Sequence, residues 1–345
     1  MTLADRLQRD WWLRRPTALA LALTPLAGLY ALLSGLHRAA FRQGWRVAET
    51  APVPVVVVGN LIVGGAGKTP TVIALVNALR AAGWMPGVIS RGYGRAGEDV
   101  QPVSHESSAE AVGDEPLLIH LRTQAPVCVA RDRVAAARQL CARHPEVNVI
   151  VSDDGLQHLR LARSFELWVF DDRGAGNGLL LPAGPLRQPL PRQVPANASV
   201  LYNAPAPSTG LPGETALRRL GGAVPLSGWW QGQAADRSTL AALGGREVWA
   251  AAGMANPERF FRMLEAEGLH LKRCPLPDHH PFRTLPWPDD AIDVLVTEKD
   301  AVKLRPEHMG RARVWVVTLD FALPPTLLAT LSRHLPAPAR LPASS

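Results

Sequence analysis

The stretch Gly64, Gly65, Ala66, Gly67, Lys68, Thr69 and Pro70 puts three glycines ahead of a lysine and a hydroxyl residue. That composition suits a phosphate cradle. Glycines let the backbone approach an anion with no Cβ in the way, and successive N–H groups can then converge on one phosphate. Lys68 would neutralise the β- and γ-oxygens, and Thr69 would offer its hydroxyl to Mg²⁺. The usual spacing G-x-x-x-x-G-K-[ST] asks for glycine at 62, where this chain has Ile62. Three glycines immediately before the lysine can form the nest without it, so Ile62 is expected to have little effect. Of 37 basic residues only four are lysines, Lys68, Lys272, Lys299 and Lys303. A lysine at the cradle of an arginine-rich chain fits the need for a compact point charge.

A phosphate loop also needs a place for the metal. In "VNVIVSDDGLQH", an apolar run over Val147 to Val151 leads to Asp153 and Asp154. Paired carboxylates at the C-terminal end of a strand read as ligands to Mg²⁺ or to its water shell. Three further stretches carry chemistry-bearing residues: "SRGYGR" (Ser90–Arg95), "VGDEP" (Val112–Pro116) and "DHHPF" (Asp278–Phe282). With the loop, they could supply the base and anion clamp that a kinase requires.

These residues need a scaffold. Val53 to Val58 is a β-branched run of the kind found in a buried parallel strand. Val72, Leu75, Val76 and Leu79 then follow at helical spacing, with Gly83 as a stop. Strand, glycine loop and helix is the context a phosphate loop demands. "MPGVIS", "APVCVA" and "FELWVF" read as more strands. Together they predict an α/β fold: a P-loop NTPase-like, doubly wound, mostly parallel sheet, with a second, smaller α/β domain. The expected divisions are a membrane-associated helix (1–46), a P-loop kinase core (47–200), a C-terminal α/β part (201–335) and a disordered tail (336–345). The Pro/Gly-rich "YNAPAPSTGLPGET" marks the main boundary.

The 345 residues carry a net charge of +7, unevenly spread. Residues 1–50 hold seven arginines against Asp5, Asp10 and Glu49. No Lys/Arg run or interleaved aromatic platform accompanies them, which argues against nucleic acid. Cys128, Cys141 and Cys274 are scattered, which argues against a disulfide framework or a structural zinc. Thr17 to Leu36 is free of charge for twenty residues and basic on both flanks. The length could span a bilayer, but two basic flanks fit better with a helix lying in the interface, its arginines on anionic headgroups.

Taken together, "VVVVGNLIVGGAGKTP", "SRGYGR", "VGDEP", "ARDR", "SDDGLQH", "GNGLLLPAGPLRQP", "GMANPERFF", "DHHPF" and "VTEKDAVKL" resemble, in this order, the tetraacyldisaccharide 4'-kinase family, the lipid A 4'-kinases of Gram-negative bacteria. The resemblance implies transfer of the ATP γ-phosphate, with Mg²⁺, to the 4'-hydroxyl of a tetraacyldisaccharide 1-phosphate at the cytoplasmic face of the inner membrane. It implies a lipid substrate and a bilayer as partners, and no obligate protein partner. By the same resemblance Asp114 is the base, Glu115 lies near the metal, and Asp153 and Asp154 are the metal pair with Thr69. A histidine of "DHHPF" partners the base, His279 in preference to His280. Arg91, Tyr93, Arg131 and His280 are the candidates for gripping the disaccharide and its phosphate. The rival reading is a membrane-associated switch NTPase acting on a protein partner. Such loops commonly carry an extra lysine before the paired glycines, where this chain has Val63.

Overall fold

The computed structural model describes residues 3–95 and 97–336. The expected tail, from residue 337 on, lies outside them. The chain forms two compact units, both discontinuous in sequence. Of the described residues, the first comprises 3–91, 132–216 and 323–336, and the second 92–95, 97–131 and 217–322. These limits run differently from the sequence boundaries. The segment 92–131 belongs with the C-terminal part, and the strands Ala198–Asn203 and Glu214–Thr215 still belong to the first unit's sheet. The Pro/Gly-rich stretch thus ends where the chain changes unit.

In the first unit, strand β1 (Val55–Gly59) is buried along its whole length. Parallel strands flank it: Val149–Asp153 and then β2 (Pro86–Ser90) on one side, Phe165–Asp171, Ala198–Asn203 and Glu214–Thr215 on the other. The chain winds outward from β1 first one way and then the other. That makes the C-terminal end of β1 a topological switch point, where open α/β sheets bind their ligands. In the register, Val58 pairs with Asp153 and Gly59 with Trp168.

The second unit has a five-stranded sheet in the order His270–Leu276, Glu247–Gly253, Asp293–Thr297, Arg313–Ala322, Leu217–Pro225. Its first four strands are parallel and the last is antiparallel. The helix Pro257–Ala266 buries Phe260, Phe261 and Leu264 in the core of this unit. Residues 92–131 add the antiparallel pair Gln101–Val103 and Val127–Val129 and the helix Asp114–Thr123.

The apolar stretch near the N-terminus is not one helix. Helix α1 (Leu3–Trp11) is followed by α2 (Ala18–Ala22) and α3 (Thr24–Arg42). Pro25 explains the break, since it has no N–H to continue the α2 ladder and fits only the first turn of a new helix. Among the described residues, no helix is long and apolar enough to cross a membrane. α3 nevertheless leaves Leu26, Leu29, Leu32, Leu33 and Leu36 more than half exposed, while Ala27 is buried and Tyr30 donates to the Arg187 carbonyl at 2.7 Å.

Candidate active site

The phosphate loop grows out of β1 and ends at helix α4 (Lys68–Ala81), which buries Thr71, Val72, Leu75, Val76 and Leu79. Gly64 (φ 83°) and Gly67 (φ 87°) take the left-handed conformation, which glycine alone adopts without strain. Gly67 also lies so close to Asn203 that a Cβ there would come 1.9 Å from Asn203 Nδ2. Ile62 is a core residue, fully buried and bridged to Leu186. Val63 N donates to Pro185 O at 2.9 Å and Arg187 N to Leu61 O at 2.8 Å, so the segment around Leu186 straps the start of the loop. The side chain at 62 is thus spent on packing, and the glycines after it form the turn.

Lys68 begins α4 with its Nζ 3.4 Å from Gly64 O and 3.8 Å from Asp154 Oδ1. Arg187 Nη1 reaches the same Asp154 oxygen at 3.0 Å and Gln157 Oε1 at 3.1 Å. Burial alone would raise the Asp154 carboxyl, but Lys68 and then Arg187 outweigh it and hold the group below its ordinary range. Asp153, the last residue of its strand, accepts from Ser90 Oγ at 3.0 Å. His158, in the turn that follows, is pushed down to about 4 by burial and by Arg133.

The second unit carries a different cluster. Asp114 opens the helix Asp114–Thr123, where the helix N-terminus favours a carboxylate. Gly113 before it has φ 92°, a left-handed backbone that favours glycine, and packs on Gly92, where a Cβ would stand 3.1 Å from the Gly92 backbone. His279 Nδ1 lies 2.9 Å from Asp114 Oδ2. On its other side, His279 Nε2 faces Lys299 Nζ at 3.4 Å, and Lys299 also pairs with Asp278 at 2.9 Å and Glu115 at 3.4 Å. An ammonium can only donate, so a neutral His279 meets Lys299 with the Nε2 lone pair and donates Nδ1–H to Asp114. Burial pushes the Asp114 carboxyl up, yet the His279 hydrogen bond and the Lys299 charge bring it below its ordinary value. The hydrogen bond to Asp114 raises the His279 imidazole. Lys299 is raised as well: burial opposes its charge, but Glu115, Asp114 and Asp278 outweigh burial.

Residues 19–336 match the family model for tetraacyldisaccharide-1-P 4'-kinase. This chain belongs to that family. It is 53% identical over 341 residues to the tetraacyldisaccharide 4'-kinase of Leptothrix cholodnii, covering 97% of each chain. It is 54% identical over 329 residues to that of Methylibium petroleiphilum, covering 94% of this chain and 92% of the relative. The fold matches a crystal structure of LpxK from Aquifex aeolicus in complex with ATP, with a TM-score of 0.75 and 26% identity over 92% of this chain and all of that one.

Against this 4'-kinase family background, the expected residues fall into two groups. Gly64 to Pro70, Asp153 and Asp154 gather in the first unit, and Arg91 is exposed just past β2. Asp114, Glu115, Tyr93, Arg131, His279 and His280 are in the second. The exposed Tyr93 ring stands 5.3 Å from that of His279. Arg131 is paired with Glu98 at 2.8 Å, and His280 stacks edge-on against Phe282 at 4.9 Å, so of the two histidines His279 bonds Asp114. Glu115, expected near the metal, has Lys299 as its partner. Sequence reasoning gave no role to Lys299, Arg187, Asn60 or Asn203. The scarcity of lysine that singled out Lys68 applied equally to Lys299.

Proposed function

We propose that this chain is an ATP-dependent tetraacyldisaccharide 4'-kinase, moving the γ-phosphate to the 4'-hydroxyl of a tetraacyldisaccharide 1-phosphate in lipid A synthesis. The observation that carries the reading is the buried Asp114 hydrogen-bonded to His279, in a chain that also has a glycine cradle with a buried lysine. A switch NTPase needs the cradle but has no use for a carboxylate–imidazole pair of this kind, so the pair favours the kinase.

In this reading Asp114 accepts the proton of the attacking hydroxyl as its oxygen bonds the γ-phosphorus, while the bond from that phosphorus to the β,γ-bridging oxygen breaks and ADP leaves. His279 orients the carboxylate and shares the charge that the proton brings. Lys68 would neutralise the phosphate oxygens, and the N–H groups of Gly64 to Thr69 would hold the β-phosphate. Positioning and charge neutralisation supply most of the catalysis in such transfers.

Among the described residues, no cluster of three His, Cys, Asp or Glu is arranged to hold a metal alone. Mg²⁺ rarely requires one, since it keeps several waters and takes one or two carboxylates plus substrate phosphates. Asp153 and Asp154 at a buried strand end, with the Thr69 hydroxyl, fit that demand and would hold it, with Glu115 as a further candidate. Bound there, the ion would neutralise charge on the β- and γ-oxygens. Arg91, Tyr93, Arg131 and His280 would grip the sugar phosphate. The exposed leucines of α3, with Arg38, Arg42 and Arg46 beyond them, would seat the protein on the cytoplasmic face of the inner membrane, where the acyl chains of the substrate remain.

The test is transfer of labelled γ-phosphate from ATP to a disaccharide 1-phosphate lipid in detergent micelles. A bis-phosphorylated lipid is expected. ATP consumption with no lipid product would turn the assignment to the switch NTPase.

A further inference from the structure

A backbone nest binds an anion only while its peptide N–H groups point inward, which requires their carbonyls to point outward. In this loop, a side chain from outside holds each of three successive carbonyls. Asn60 Nδ2 donates to Gly64 O at 3.0 Å, Arg173 Nη2 to Gly65 O at 2.9 Å, and Asn203 Nδ2 to Ala66 O at 3.3 Å. Asn60, just past the end of β1, and Asn203, the last residue of its strand, are both buried. Arg173 sits on a turn two residues past the end of its strand and depends on braces. One is Asp171, whose carboxylate takes Arg173 Nε at 2.8 Å and Arg173 N at 3.0 Å.

The other brace comes from the N-terminus. The Arg173 guanidinium lies 4.0 Å from the ring centroid of Trp12, immediately after α1. That end of the helix is itself anchored. Trp11 Nε1 donates to Pro182 O at 2.9 Å, and Trp11 O accepts from Asn177 N at 2.8 Å. The approach is close enough that a Cβ on Gly176 would come 2.2 Å from Trp11 O.

We propose that Trp12 and Arg173 are positioning residues for the nucleotide: the N-terminal helix, through the Trp12–Arg173 stack, keeps the Gly65 carbonyl turned out and so sets the affinity of the loop for ATP. This rests on the loop being the ATP site. It gives the N-terminal segment a second task, separate from the lipid.

The experiment is calorimetric titration of the full-length, detergent-solubilised protein with ATP, together with KM for ATP and for the lipid acceptor. Arg173→Met keeps the stem and removes the donors, and is expected to weaken ATP about tenfold or more, as loss of a charged hydrogen bond predicts. Trp12→Leu is expected to weaken it about three- to tenfold, in the range of a partly buried cation–π contact, with Trp12→Phe recovering most of the loss. The rise should fall on KM for ATP several times more heavily than on KM for lipid or on kcat. The double variant should lose no more than Arg173→Met alone, because the indole acts through the guanidinium. Wild-type binding with unchanged ATP affinity in the variants, even with a lower melting temperature, would overturn the inference alone. So would purely additive losses. A wild type that bound no ATP would overturn the kinase reading and the inference with it.

Discussion

His279 Nδ1 stands 2.9 Å from Asp114 Oδ2, although the two residues are 165 positions apart in the chain. Asp114 follows Gly113 at φ 92°, and His279 itself has φ 59°. A left-handed histidine costs energy that its surroundings must offset, and Asp114 and Lys299 on its two ring nitrogens are what hold it there.

The pair dictates a pH response. Asp114 has a lowered carboxyl pKa, with the His279 hydrogen bond the largest influence opposing burial. A group of this sign contributes stability above its ordinary value of 3.8 and loses it as pH falls through the lower folded value. His279→Gln removes that influence and leaves burial in place, so the Asp114 pKa rises. The acid limb of the kcat/KM profile is expected to move to higher pH, with kcat reduced. Asp114→Asn should lower kcat by roughly 10²–10⁴-fold while ATP still binds, as loss of a general base predicts. An acid limb that stayed put in His279→Gln would remove His279 from its role beside the base.

Gly67→Ala tests the cradle. Its φ of 87° costs an L-residue about 1–2 kcal/mol, and the new Cβ would displace Asn203 from the Ala66 carbonyl. The expected result is ATP affinity reduced by about tenfold or more in a protein with an unchanged circular dichroism spectrum. Wild-type affinity would mean that the nucleotide does not use this turn.

His158 gives a second pH signature, this time in stability. Its pKa lies at about 4, against an ordinary 6.5, so between those values the unfolded chain binds a proton that the folded one refuses. Stability therefore falls as pH drops through that window. His158→Gln should flatten the slope of urea midpoint against pH over the same range. Equal slopes for variant and wild type would show that His158 titrates normally.

On the membrane side, Leu29→Gln with Leu33→Gln removes two leucines from the exposed face of α3, whose opposite face carries the buried Ala27. Flotation with vesicles of anionic phospholipid should show binding weakened by about a hundredfold or more, given about 1.5–3 kcal/mol for each leucine fully buried. Undiminished flotation would place the membrane contact elsewhere.

The first unit's strand, loop and helix were readable because they are local. A β-branched run, a glycine turn, a lysine and a helix stand within thirty residues, and each constrains its neighbours. Asp153 and Asp154 were readable for the same reason, at the end of an apolar run. What escaped is long-range. Nothing adjacent to Arg187 or Lys299 announces that one reaches Asp154 and the other Glu115, Asp278 and His279. The change of unit at residues 91 and 131 was hidden as well, because the turns there look like ordinary connections of an α/β sheet. The broken apolar helix was half visible: Pro25 was in plain sight, but it took the structure to show the chain restarting there as α3.

The division of the chain also bears on its synthesis. The first unit is begun by residues that precede the second unit and finished by residues that follow it. The helix Pro325–Ser332 buries Leu327 and Leu331, Thr326 bonds Glu214, and the His334 ring packs 5.4 Å from Phe165. The nascent phosphate loop is thus made on a sheet that still lacks its closing helix while more than 200 further residues emerge. A message cut short before residue 323 would leave the nucleotide half of the enzyme open along that seam, even though every residue named in the active site had already been translated.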